Sequence, residues 1–405
     1  MAGGDDHTMA GHEHEADPRG LLFDRPVEVG ANGRPTGVEL ELPPDEPVRV
    51  GEFLSPVDIG IKTQTVRLGE LLDRLGERRL DLAPDFQRRA GMWSDVQQSR
   101  FVESLLLGIP HPPFHVAQHP DDVWSVVIGM QELTAYVRFA GVELSGLTPL
   151  RLTGLEYLSR YEGATVLDVP GRWRLRLRET RAVLHLVRHT TPDDVKFNVF
   201  CRVSASGPQL RPQEIRHAMI RGEARELLAT LAEHPDFGLA TSFNVSNEQM
   251  ADRELALRFL AFRLFPPEEF RGQDFEWFLT LAMRRAGELS AEEQDREVRQ
   301  FGWAMRTAWL LFEEQAFRRS LGHRRKLPVN KALFEAIAVN LAALDDHERR
   351  RLVTSRDEVR GGLHALLTRN FAFERALTVA PGDPAHVRMR FEEVTRLFQG
   401  VLSGD

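Results

Sequence analysis

The 405-residue sequence has a single cysteine, Cys201, so it excludes an internal disulfide and any metal site built on paired cysteines. No run of about 18 apolar residues occurs, which argues against a membrane span. The N-terminal stretch lacks the basic start and apolar core of a secretory signal. Together these absences point to a cytoplasmic protein. Lysine is scarce as well. Only Lys62, Lys196, Lys326 and Lys331 stand among 52 basic residues, leaving positive charge almost wholly to arginine. The excess reads first as genome composition; it also supplies rigid forks suited to phosphate or carboxylate. Phosphate loops of the GxxxxGK[ST] type, strand-linked GxGxxG, HExxH and GxSxG are all missing, so the common ATPase, zinc-protease and hydrolase readings have no local support.

What is present is 42% hydrophobic residues, enough for real cores, and a net charge of −8 that is unevenly spread. Residues 1–50 hold eleven acids and four bases, a net of −7, so the remaining chain is close to neutral at −1. Residues 1–20 are acidic and poor in apolar side chains and read as disordered. Residues 21–50 read as an extended arm with one edge strand near Val38–Leu42. The domain reading is a 1–50 acidic arm, a 51–215 α+β site domain, and a 216–405 helical domain.

Within the site domain, Leu68, Leu71, Leu72 and Leu75 have helical spacing. Ser94 and Gln97 form a capping-box pattern before a helix that Gly108 should stop. Phe114–Ala117, Trp124–Ile128 and Arg181–Arg188 read as strands. Gly129 breaks the second of them, and a helix begins at Gln131. Thr191 is expected to cap the helix after Pro192, and Pro212 to open the next. Beyond that point the apolar pattern is helical nearly to the end.

Four ordered segments carry the functional signal: Pro84-Asp85-Phe86-Gln87-Arg88 with Trp93; Glu103 to Pro110 with Pro112-Pro113; Val126 to Thr134; and Val199-Phe200 to Glu214-Ile215-Arg216. A weaker echo is Pro328 to Phe334. In this order and spacing the chain resembles the DUF262 family, which includes the N-terminal region of the GmrSD restriction endonuclease, from about Leu68 to Phe398. The resemblance implies an α+β fold like ParB and sulfiredoxin: a small mixed sheet with loops around a phosphate-handling cleft, followed by a mostly helical domain. It also implies a role in anti-phage defence or restriction, with DNA or a nucleotide as ligand, a partner nuclease chain, and Mg²⁺ with a nucleoside triphosphate as cofactors. Oligomers are compatible with it.

On this reading Gln87, Arg88, Arg89, Gly129, Gln131 and Arg216 are the phosphate- or nucleotide-binding candidates, and Asp85, Glu103, Gln131 and Glu132 the catalytic ones. No dedicated metal-ligand set is assigned. Each has a plainer alternative. Arg88 and Arg89 suit surface ion pairs, Asp85 a loop cap, Trp93 the core beside the helix cap, Glu103 a solvated helix face, and Arg216 a pair with Glu214 or another acid.

The sequence departs from the family where chemistry is expected. The usual Asp-Gly-Gln-Gln-Arg is degenerate here, reading Ile128-Gly129-Met130-Gln131-Glu132, and Ser204 stands where an asparagine is usual. Ile128 offers no ligand or base, and Glu132 reverses an expected positive charge. Three readings follow: a family member that binds phosphate with weakened or lost catalysis, an active Mg-dependent nucleotide hydrolase or DNA endonuclease, and a helical adaptor. The acidic arm is a further candidate, as a nucleic-acid mimic lying in the cleft.

Overall fold

Trp124-Ser125-Val126-Val127-Ile128 is buried along its whole length, as expected of a strand covered on both faces. It lies near the middle of the sheet around which the first half of the protein is built. The computed structural model describes residues 27–29, 34–41, 59–82, 93–142, 148–205, 210–272, 274–319 and 327–404. The five strands are β3 (Ile61–Arg67), β4 (Leu80–Asp81), β5 (Phe114–Gln118), β6 (Trp124–Ile128) and β7 (Arg181–Val187), in the order β3-β7-β5-β6-β4. β3 runs antiparallel to β7 and β5 antiparallel to β6, while β5/β7 and β4/β6 are parallel. A smaller antiparallel pair, β1 (Val27–Val29) and β2 (Pro35–Glu39), precedes them. The arm therefore holds two strands where one was expected. Residues 1–20, read as disordered, lie outside the described residues.

Helices α1 (Leu68–Gly76), α2 (Asp95–Leu107), α3 (Met130–Phe139) and α4 (Gly171–Glu179) belong to the sheet region. α5 (Asp193–Ala205) and α6 (Pro212–Met219) lead out of it. The chain continues as α7 (Glu223–Ala232), α8 (Pro235–Ala240), α9 (Ala251–Leu264), α10 (Phe275–Ala286) and α11 (Ala291–Phe312). It closes with α12 (Lys331–Ala343), α13 (Asp346–Thr354), α14 (Arg356–Arg369), α15 (Phe371–Thr378) and α16 (Pro384–Ser403). The class is α+β: a small mixed sheet early, then a mostly helical region.

The local signals hold in detail. Ser94 accepts from the Gln97 N–H while the Gln97 side chain accepts from the Ser94 N–H, and Gly108 ends α2 in the left-handed region. Thr191 does not serve α5 as expected. Its hydroxyl accepts from the Gly60 N–H, which joins the start of β3 to the end of β7.

The sheet divides the apolar core. Val116, Val126 and Leu184 face Leu68, Val102 and Tyr136 on one side. Ala117, Val127 and Val187 face Phe200 and Ile215, and that cluster continues into Leu255, Phe259, Phe301 and Phe334 of the helical region. The strand period of two thus fastens both cores to one sheet.

The acidic arm is seated in the helical region. Val38 bridges Val329 in parallel, with the Glu39 N–H donating to the Val329 carbonyl at 2.8 Å. Glu28 pairs with Lys331 at 2.6 Å and with Arg211 at 2.9 Å. Glu41 pairs with Arg258 at 2.6 Å, and Arg258 also holds Glu254 at 3.0 Å and Glu335 at 2.7 Å. Lys331 meets Glu254 at 2.9 Å, and Arg390 meets Glu335. Four acids and four bases balance in this largely buried network. Beside it, Arg319 holds Glu39 at 2.6 Å and Glu374 at 3.0 Å. The described acids of the arm, Glu28, Glu39 and Glu41, are thus committed to cations of the helical region and of the turn before α6.

Candidate phosphate-binding end of the sheet

Strand directions bring the sequence-predicted segments to one place. β4 and β6 are parallel, with Leu80 opposite Trp124 and Asp81 opposite Ser125. The chain leaving β4 at Leu82 therefore heads toward the end at which β6 stops at Gly129. β5 runs the other way, with His115 opposite Ile128, so Ile109–Pro113 arrives at this same end. β7 is parallel to β5, so α4, which precedes it, also delivers the chain here. Asp85, Phe86, Gln87, Arg88 and Arg89 lie on the connection between Leu82 and Trp93, outside the described residues.

Gly129 caps α3 at φ 98°, and a Cβ there would lie 2.2 Å from the Phe114 ring. Only glycine meets both conditions without strain. Its neighbours Ile128 and Met130 are buried, closing those positions with apolar atoms. Gln131 reaches across the site: its Oε1 accepts the Trp93 N–H at 3.1 Å. The Trp93 carbonyl in turn accepts from Gln98 Nε2 at 2.8 Å. The half-buried Trp93 ring tilts against Phe101 with centroids 5.8 Å apart. Gln131 thereby ties the end of the Leu82–Trp93 connection to the start of α3.

Glu103 is buried and serves the connection after α3. One of its oxygens accepts the Tyr157 and Leu158 N–H groups at 2.7 and 2.6 Å, and the other the Glu156 N–H at 3.0 Å. Burial opposes ionisation, but these three donors outweigh it and hold the carboxyl below its ordinary range. The solvated helix face is not what this carboxylate has, and Arg100 adds a smaller favourable charge to the three amides. Glu132 has the opposite environment: burial raises its pKa, partly offset by its own backbone N–H and by the charge of His111.

Arg216 is fully buried on α6. It donates to Glu276 at 2.6 Å and to Gln213 at 2.9 Å, and its guanidinium lies 5.4 Å from the Phe197 ring centre. Of its two readings, pairing with an acid is the one realised, with Glu276 rather than Glu214. Glu214 instead accepts the Arg211 N–H at the start of α6. Ser204 is buried and accepts the Leu210 N–H, closing the turn between α5 and α6.

His111 was not singled out from sequence, although its place in Pro-His-Pro-Pro fixes it between extended residues. Its ring lies 5.1 Å from Phe114 and 6.2 Å from Phe101, over the same end of the sheet. The described acids here do not fit Mg²⁺, which takes ionised oxygens. Glu103 is given to backbone amides, Asp95 pairs with Arg138 at 2.8 Å, and burial raises the pKa of Glu132. Among the described residues there is no cluster of three or more His, Cys, Asp or Glu side chains suited to a metal ion, and no helix long and apolar enough to cross a membrane. No family model, curated protein or solved structure matches the chain.

Proposed function

We propose that this chain is a DUF262-type protein of a prokaryotic defence or restriction system. It binds nucleotide or DNA phosphate at the C-terminal end of β6, in a ParB-like cleft, with hydrolysis weakened or lost. The observation that carries this reading is the convergence at Gly129 of three connections: the one after β4, the one before β5, and the start of α3. The Gln131–Trp93 hydrogen bond supports it, because it holds Trp93, five residues after Arg88 in sequence, next to the degenerate motif.

The loss of hydrolysis rests on the state of the acids. Ile128 fills the position of the family's aspartate with buried methyl groups, and Glu103 has both oxygens taken by amides. Burial raises the pKa of Glu132, which makes its charged form costlier without removing the charge that a phosphate would meet. Phosphate recognition is assigned to Arg88, Arg89 and Gln87, whose forks and amide suit it. No step is derived through Mg²⁺, since the described acids do not fit it.

The test is fluorescent ATP and GTP binding alongside hydrolysis, with and without DNA and Mg²⁺. Wild type is expected to bind without turnover, and Arg88→Ala to weaken binding at least tenfold, the loss of one charge-assisted contact of about 1.5–3 kcal/mol. Turnover in wild type that vanishes in Arg88→Ala would replace this reading with the active enzyme. Absence of any nucleotide or DNA binding would remove the cleft altogether and favour the helical adaptor.

A further inference from the structure

α4 reads Gly-Arg-Trp-Arg-Leu-Arg-Leu-Arg-Glu. Leu177 is buried and Trp173, one turn earlier, half-buried, so this edge packs inward against the rest of the sheet region. The rest of the helix is open: Arg172, Arg174 and Arg176 are exposed, and Leu175 is 61% exposed between them. The patch extends beyond the helix. Tyr161 meets Trp173 edge-on at 6.0 Å, and the Arg160 guanidinium sits 4.8 Å above the Tyr161 ring centre. Tyr157, on the same turn, is 72% exposed.

Three acids around this patch are ion-paired, and two others keep their charge. Asp73 holds Arg178 at 2.9 Å, Glu179 meets Arg67 at 3.4 Å, and Glu156 meets Arg100 at 2.9 Å. Glu162 accepts the Gly154 and Leu155 N–H groups, and Asp168 accepts from Thr165. Against the charges of Glu162 and Asp168 stand Arg160, Arg172, Arg174 and Arg176, which have no carboxylate partner among the described residues, although Arg176 donates to the Leu107 carbonyl at 3.3 Å. With about 3.6 residues per turn, Arg172 and Arg176 lie on one side of the exposed Leu175 and Arg174 on the other, so the arginines flank it on the open part of the helix.

We propose that α4 and the Tyr157–Tyr161 turn form a docking surface for a nucleic-acid backbone. Arg160, Arg172, Arg174 and Arg176 contact phosphates, and Tyr157 offers a ring face to an unpaired base. Guanidinium forks match phosphate oxygens two at a time. A membrane surface fits less well, because an interfacial helix needs a broad apolar face outward, and here the apolar edge is turned into the core. α4 enters β7 at the end of the sheet where β6 reaches Gly129, so a strand lying on α4 runs toward that end. The surface does not depend on the cleft reading.

The experiment is fluorescence anisotropy of the full chain with a labelled 30-base single strand and a 30-base-pair duplex, from 50 to 250 mM KCl. Arg172→Gln/Arg174→Gln/Arg176→Gln is compared with wild type and with Arg350→Gln/Arg351→Gln, two exposed arginines on α13. The α4 variant is expected to lose at least tenfold in affinity and to lower the slope of log K against log salt by roughly 2–3, at about 0.7–0.9 per lost phosphate contact. The α13 variant should match wild type. Circular dichroism melts should be superimposable, since every altered side chain is exposed. No DNA binding by wild type, an unchanged salt slope in the α4 variant, or binding to vesicles with 30% phosphatidylserine in place of DNA would overturn the proposal. DNA binding that survives Arg88→Ala but not the α4 variant would refute the cleft and leave this surface standing.

Discussion

Replacing Arg258 by methionine tests how the acidic arm is held. Arg258 is buried and shared by Glu41, Glu254 and Glu335 at 2.6, 3.0 and 2.7 Å, and its own pKa is raised because those three carboxylates outweigh burial. Methionine preserves the stem's packing and removes the charge, so one cation disappears from a network of four acids and four bases. Breaking a buried ion pair costs about 3–5 kcal/mol, mostly through the charge left behind. The loss expected for Arg258→Met at pH 8 is of that size.

The pH dependence has a defined sign. Burial acts to raise Glu254, but Lys331 and Arg258 together hold it below its ordinary range. In wild type its contribution is therefore present above the ordinary glutamate range and lost as pH falls. Without Arg258, Glu254 keeps Lys331 but loses the second cation that holds it down, so it is less depressed in the variant than in wild type. The gap between variant and wild type should therefore narrow as pH falls below the ordinary glutamate range, where wild type has more to lose. Urea unfolding followed by far-ultraviolet circular dichroism reads both numbers. A loss under about 1 kcal/mol, or a gap that does not change with pH, would refute the reasoning.

Gly129→Ala should destabilise by about 1–3 kcal/mol, since alanine must hold φ near 98° with its Cβ against the Phe114 ring; an unaltered melting curve would show that the turn relaxes. Glu103→Gln should lose hydrogen-exchange protection at the Glu156, Tyr157 and Leu158 amides while α2 keeps its own, and unchanged exchange there would contradict the assigned role. Burial and the nearby Arg221 charge push His119 down to about 4. It should therefore stay neutral in an imidazole NMR titration at pH 5.5, and its contribution to stability should be lost as pH falls from the ordinary histidine value of about 6.5 toward 4. Ordinary titration near 6.5 would contradict its burial.

Local chemistry was the legible part of the sequence. Ser94 with Gln97, Gly108, the β5 and β6 runs and Pro212 each announce themselves within a few residues, and each forms the element expected. β3 did not, because Ile-Lys-Thr-Gln-Thr-Val-Arg is an edge strand with most of its side chains in solvent, so no apolar alternation marks it. α4 was hidden for another reason. Its arginine–leucine alternation has the period of a strand, and only Trp173 and Leu177, one turn apart, give the helix an inner edge. The α4 arginines were therefore not candidates, although their period-two spacing was visible. The fates of Glu103 and Arg216 depend on partners 53 and 60 residues away, which no local pattern identifies.

The seating of the arm also has a consequence for synthesis. Val38 closes on Val329 across 291 residues, and Glu28 on Lys331 across 303. At roughly 5–20 residues per second, the ribosome needs on the order of 15–60 s to make the partner of a strand it has already released. During that interval Arg211 and Arg258 emerge before Lys331 does, and the β1–β2 pair has no edge to join. Its charge then keeps it in water and away from other chains, so the glutamates that later lock the helical region together first act as a guard against misassembly.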